Sequence, residues 1–331
     1  TGLRSGGSLS LSTGGLNNQG GLIAANALTV SGQDVDNRQG LINSTGDSQL
    51  TTGDLNNQSG VIQSGGSISL DTRGAGLHNE QGTLLADKIL TLSAGALGNA
   101  QGLIQGGAGL TVAGSQLDNG RGQLLSGGGL TTRVVSLNND AGLIYAAGDA
   151  DVSASQDLRN QQGLIKADGA LTVSAAQLDN QNTRGSGQGI EARDLTLNAA
   201  SLNNQSGALR AGDTLQANVS EGLNNQSGLI SSQNSLTIGQ PGQRPALANG
   251  GGDIVANGDA SLWLGQIDGV GRITSGGSLS LDVASALNQD GSLAAGNDLT
   301  LNTNGNALTN AGSINAGNQL TLNSGHLDNL Q

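Results

Sequence analysis

Leu55-Asn56-Asn57-Gln58-Ser59-Gly60 runs on into Val61-Ile62-Gln63-Ser64 and, past a glycine pair, into Ser67-Ile68-Ser69-Leu70. The hexapeptide recurs verbatim from Leu202 and from Leu223, and looser copies run from end to end. Its leading Leu or Val falls at positions 16, 35, 55, 77, 97, 117, 137, 158, 178, 202 and 223. The pattern then lapses, to return at Ile267, Leu287, Leu308 and Leu327. Helical repeats usually need about 33 residues or more, so a period of roughly 20 indicates a coil made of strands.

Within each copy the residues alternate. Two places past the motif glycine stand Ile42, Ile62, Ile104, Ile144 and Ile165, always branched and apolar; four places past it stand Ser44, Ser64, Gly106, Ala146 and Ala167, always small. The positions between them admit Asn43, Gln123, Lys166 and Arg210. A period of two marks a strand with one buried face. The following strand alternates likewise, as in Ile68/Leu70 and Leu171/Val173. Burying one Leu or Ile contributes about 1.5–3 kcal/mol against about 1–2 kcal/mol of backbone entropy per ordered residue, so a single coil is marginal and only a stack is stable. The sequence therefore predicts an all-β chain: one continuous parallel β-helix, or solenoid, of about 15 coils with roughly 20 residues each. At the usual strand spacing of about 4.8 Å this is a rod on the order of 70 Å.

An Asn follows two places after most of the leading residues, as at Asn18, Asn37, Asn57, Asn79, Asn99 and Asn119. Asn accepts left-handed turn geometry, and stacked amides bond one another. A ladder of corner amides is expected, in preference to a row of ligand-binding amides.

Three stretches follow from this pattern. Residues 1–238 read as regular coils, in which Leu3 to Leu11 supply the last strand of a truncated coil and Asn182 to Gly189 lengthen one coil as a surface bulge. Residues 239–270 read as irregular coils that lose the corner Asn; they hold both prolines, Pro241 and Pro245, and a glycine run. Proline donates nothing to an interior ladder, so a loop excursion is expected there. Residues 271–331 read as regular coils again.

Composition narrows the function. Gly accounts for 57 of 331 residues, Cys, Met and Phe are absent, and the net charge is −12. The strict alternation argues against disorder, the lack of Cys excludes disulfides and thiolate metal sites, and the lack of Met makes the chain read as an internal piece of a larger protein. It carries neither a run of about 20 apolar residues nor an N-terminal targeting signal. Nucleic acid and anionic membrane surfaces are expected to repel it.

No catalytic, cofactor or metal site is expected. The histidines, His78 and His326, are distant in sequence, and no calcium-binding nonapeptide or phosphate loop with its Lys-Ser/Thr is present. The alternative is a carbohydrate-active β-helix enzyme, or a module that binds carbohydrate or receptor directly. Two weak groupings serve it: the column Asp118, Asn138, Arg159, Asp179, and the set Asp253, Asp259, Asp268 and Arg272 around Trp263. Candidate contact residues are Leu103, Leu143 and Leu164, which stand in an apolar outward column, with Trp263 and Arg272.

The motif Leu-(any)-Asn-(any)-(any)-Gly-(any)-Ile, as in Leu16-Asn17-Asn18-Gln19-Gly20-Gly21-Leu22-Ile23 and Leu158-Arg159-Asn160-Gln161-Gln162-Gly163-Leu164-Ile165, resembles the haemagglutinin repeat of filamentous haemagglutinins and of contact-dependent growth inhibition exoproteins. The resemblance implies a right-handed parallel β-helix, secreted to the bacterial outer cell surface by two-partner secretion through an outer-membrane transporter. Such repeats form the shaft that projects adhesive or toxin-carrying segments, and flanking segments meet the target-cell receptor. Residues 239 to 270 depart from the motif.

Overall fold

The computed structural model describes residues 2–330. Among them every regular element is a strand, and no helix is long and apolar enough to cross a membrane. The fold is a parallel β-solenoid whose turns recur about every 20 residues. Contacts divide it into two compact units: residues 2–159 with 163–169, and residues 160–162 with 170–330.

In the first unit nine short strands, from Leu3–Arg4 through Leu22–Ala25 and Leu41–Ser44 to Leu164–Ala167, form one parallel ladder. Each residue pairs with its equivalent a coil away, as Ile42 with Ile62 and Ile144 with Ile165. A second ladder follows the bend, and in coils such as Ala27–Asp36 and Ile89–Gly98 the strand runs unbroken for ten residues onto the third side. The second unit repeats the plan with seven first-side strands, from Gly189–Ala192 to Ser313–Ala316. Sixteen coils result, nine and seven. In the lengthened coil and in the irregular stretch the first-side strands are Gly189–Ala192 and Asp253–Ala256, and Leu3 belongs to a first-side strand rather than a last one.

The alternation predicts the core. Ile42, Ile62, Leu84, Ile104 and Ile165 are fully buried, and Ser44, Ser64, Ala86 and Ala146 beside them nearly so. Ile314 and Ala316 stay partly exposed, since no later coil among the described residues covers them.

The corner is built differently from expectation. Left-handed backbone falls not on the Asn but two places later, at Gln39, Ser59, Gln81, Gln101, Arg121 and Ala141, with φ between 53° and 59°. The Asn is released from that duty because its side chain bonds the next coil. The motif glycine is required by closeness rather than by its own φ. A Cβ at Gly60 would sit on the carbonyl oxygen of Asn37 in the preceding coil.

Candidate functional site

The most regular constellation of polar side chains is the corner ladder. In the first unit Asn37 donates through Nδ2 to Oδ1 of Asn57 at 2.7 Å, Asn57 to Asn79 at 2.7 Å, Asn79 to Asn99 at 2.8 Å and Asn99 to Asn119 at 2.7 Å. The second unit has its own run, Asn160 to Asn180, Asn204, Asn225 and Asn249, at 2.7–2.8 Å. Each Nδ2 also faces carbonyl oxygens: Asn57 reaches Gly60 at 3.3 Å and Thr83 at 3.2 Å. These amides are buried and spent on one another, which leaves no donor row for a ligand.

Asn249 corrects the reading of residues 239–270. Leu247-Ala248-Asn249 takes up the corner with Leu247 buried, and Nδ2 of Asn249 meets the Val270 carbonyl at 2.6 Å. In a later coil Gln289 takes the buried corner place and bonds the Gly291 and Ser313 carbonyls.

The two loop excursions are pinned rather than loose. In the longer coil at Asn182, the Thr183 hydroxyl donates to the Asn180 carbonyl and accepts from the Ala208 amide. Arg184 crosses to the Ser227 carbonyl at 2.7 Å and to Asp253 at 2.6 Å, and Arg210 holds the Gln188 carbonyl and Glu191 at 2.8 Å. In the proline loop, Gln240 and Gln243 form an antiparallel bridge and Arg244 pairs with Asp282.

These pairs set the electrostatics. Hydrogen bonding from Arg272 lowers the Asp253 carboxyl below its ordinary range; burial opposes this and Arg184 reinforces it. Burial alone would raise Asp282, but Arg244, Asn304 and Asn302 donate to it and hold it below the usual value.

The sequence candidates are placed as follows. Leu103, Leu143 and Leu164 stand half-buried in one outward column of the first ladder, in register through Gln123. Trp263 is half-buried in strand Ala260–Leu264, beside Asp282 in register. Arg272 is exposed on strand Arg272–Ser275 and bonds Asp253 at 2.8 Å. The four polar residues grouped with Trp263 do not converge. Asp253 and Arg272 lie on the first side, Asp259 caps a turn through the Ser278 amide, and Asp268 is on the third side. In the other column Asn138 donates to Asp118 at 2.9 Å, while Arg159 pairs with Asp140. Asp179, in the second unit, accepts from Gln161 and Gln181. Among the described residues no group of three or more His, Cys, Asp or Glu side chains is placed to hold a metal ion.

A model of the haemagglutinin repeat matches residues 4–75, 63–134, 104–162, 136–191, 190–240, 246–312 and 303–331. The match at 246–312 takes in most of the stretch that departs from the motif in sequence. No curated protein and no solved structure matches the chain.

Proposed function

Since this chain belongs to the haemagglutinin-repeat family, we propose that it is a structural shaft segment of a secreted exoprotein on the bacterial cell surface. In this reading two-partner secretion through an outer-membrane transporter delivers it, and flanking segments carry the adhesive or toxin function toward a target cell. What supports it most is the corner ladder: from Asn37 to Asn119 and from Asn160 to Asn249 each buried amide finds its partner in a coil of the same kind, so the polar groups serve stacking. Leu103, Leu143 and Leu164 are the proposed lateral contact. Being half-buried, they offer a narrow stripe suited to weak association with another segment of the exoprotein. Trp263 and Arg272 stay contact candidates on the second unit.

Two measurements test the shaft. Antibody raised against the chain labels intact source cells, and a second copy of residues 84–123, two whole coils, inserted after Gln123 is tolerated in export. Labelling confined to permeabilised cells, or release of unsaturated sugars from uronate polymers that stops in Arg272→Ala, would replace the shaft with the enzyme alternative.

A further inference from the structure

On the third side of the second unit the outward side chains form a trough of about 560 Å³. One outward column steps down from Gln177 to Ser201, Gly222 and Ala246 and rises again at Gln266. The column beside it carries Asp179 and Asp268 at its ends, with Asn203 and Asn224 between. A bulge between the Ala199 and Ser201 pairings brings Gly222 into the floor. Bulges of this kind re-aim side chains along a strand.

The lining chemistry selects an occupant. The only charges lining the trough are Asp179 and Asp268, and no Lys or Arg lines it. Asp179 Oδ2 accepts from the Gln161 and Gln181 side chains at 2.7 and 3.0 Å and Oδ1 from the Gln181 amide at 3.2 Å, and Oδ1 keeps a lone-pair site. Among the described residues the side chains of Gln177, Gln266 and Asp268 make no hydrogen bond. Asn203 Oδ1 accepts from Asn224 Nδ2 and from the Gln205 amide, both at 3.3 Å, and Asn224 Oδ1 accepts from the Gln226 amide at 3.0 Å, so the Asn203 NH₂ and the second N–H of Asn224 are the donors left to meet peptide carbonyls. No aromatic ring lines the trough to stack a sugar. The two carboxylates are four coils apart, roughly 19 Å at the usual strand spacing. An extended peptide covers that distance in about five or six residues.

We propose that this trough binds an extended peptide with two basic residues five or six positions apart, a carboxylate gripping each end and the amide N–H groups of Asn203 and Asn224 donating to backbone carbonyls between. This site is independent of the shaft reading, which stands whether or not the trough is occupied.

Fluorescence anisotropy with the labelled peptide Arg-Ser-Ala-Thr-Ser-Ala-Arg tests it. The chain is expected to bind this peptide at least about tenfold more tightly than the version with Glu at both ends, with the advantage shrinking as salt rises. Gly222→Leu puts a side chain into the floor at a place where a Cβ meets nothing within 4 Å. It should weaken binding about tenfold or more and leave the β circular dichroism unchanged. Asp268→Asn should weaken it several-fold and flatten the salt dependence. Equal affinity for the Arg and Glu peptides, or unchanged binding in a folded Gly222→Leu variant, overturns the proposal. Displacement of the peptide by cellotetraose assigns the trough to a neutral glycan and overturns it equally.

Discussion

Asn57 donates its side-chain amide to that of Asn79 at 2.7 Å, one coil on, and both residues are fully buried. Leaving a buried donor or acceptor without a partner costs about 1–3 kcal/mol, and truncating Asn79 strands groups in the coils on both sides of it. Asn79→Ala should therefore destabilise the first unit by about 2–4 kcal/mol. Asn18→Ala, at the start of the ladder where the amide bonds a neighbour on one side, Asn37, should cost about half as much. Chemical denaturation followed by circular dichroism checks the pair, and equal losses would mean that the ladder does not act through its interior members.

The alternation makes a second contrast. Ile144 is fully buried, whereas Lys166 is half-exposed and 3.6 Å from Asp168. Ile144→Asp should cost more than about 3 kcal/mol, because a carboxylate enters the core without a partner. Lys166→Gln, which removes a surface ion pair, should stay within about 0.5 kcal/mol. Thermal melts of the two variants settle the register.

Ala141 holds φ at 53° with no side chain capable of compensating. Left-handed geometry costs a non-glycine residue about 1–2 kcal/mol, and glycine gives back part of that gain through its freer unfolded chain. Ala141→Gly should raise stability by about 0.5–1 kcal/mol. A lowered melting temperature would show that the turn is not strained.

Acid should loosen the Arg184 clamp. Asp253 titrates below its ordinary value because Arg272 and Arg184 bond its charged form. A carboxylate depressed in the folded state contributes stability above its unfolded value, about pH 3.9, and that contribution is lost as pH falls through the lower folded value. Hydrogen exchange in strand Asp253–Ala256 should therefore quicken below about pH 4 beyond the general effect of acid. In Arg184→Ala/Arg272→Ala the extra acid response should vanish.

The repeat made the core legible because a buried strand face admits few residue types: the places equivalent to Ile62 and Leu84 hold Ile or Leu from coil to coil. The corner was half legible. Asn57 announced a ladder, but the left-handed turn at Ser59 had no signal, since Gln39, Ser59, Arg121 and Ala141 share no conformational preference. Asn249 was hidden for another reason. The proline loop shifts the spacing to 24 residues from Asn225, and Asp253 then stands in a column where the preceding coil carries Leu229 and the next Arg272. The clamps were out of reach altogether, because Arg184 and Asp253 are 69 residues apart and only the folded stack brings them together. The trough likewise depends on which outward residues become neighbours across coils, and a period alone does not rank them.

The parallel pairing of each coil with the next has a mechanical corollary. Within a unit the inter-coil hydrogen bonds run along the stacking direction, so a pull along that direction loads the outermost coil's bonds ahead of those beneath it. A pulled unit should yield by peeling, one coil per rupture, instead of giving way at once. A coil such as that from Ile104 to Gln123 has 20 residues and frees about 70 Å of extended chain, less the roughly 5 Å it spanned while folded. The force record should be a sawtooth of nearly even teeth, with longer ones where the clamped loops at Asn182 and Pro241 let go.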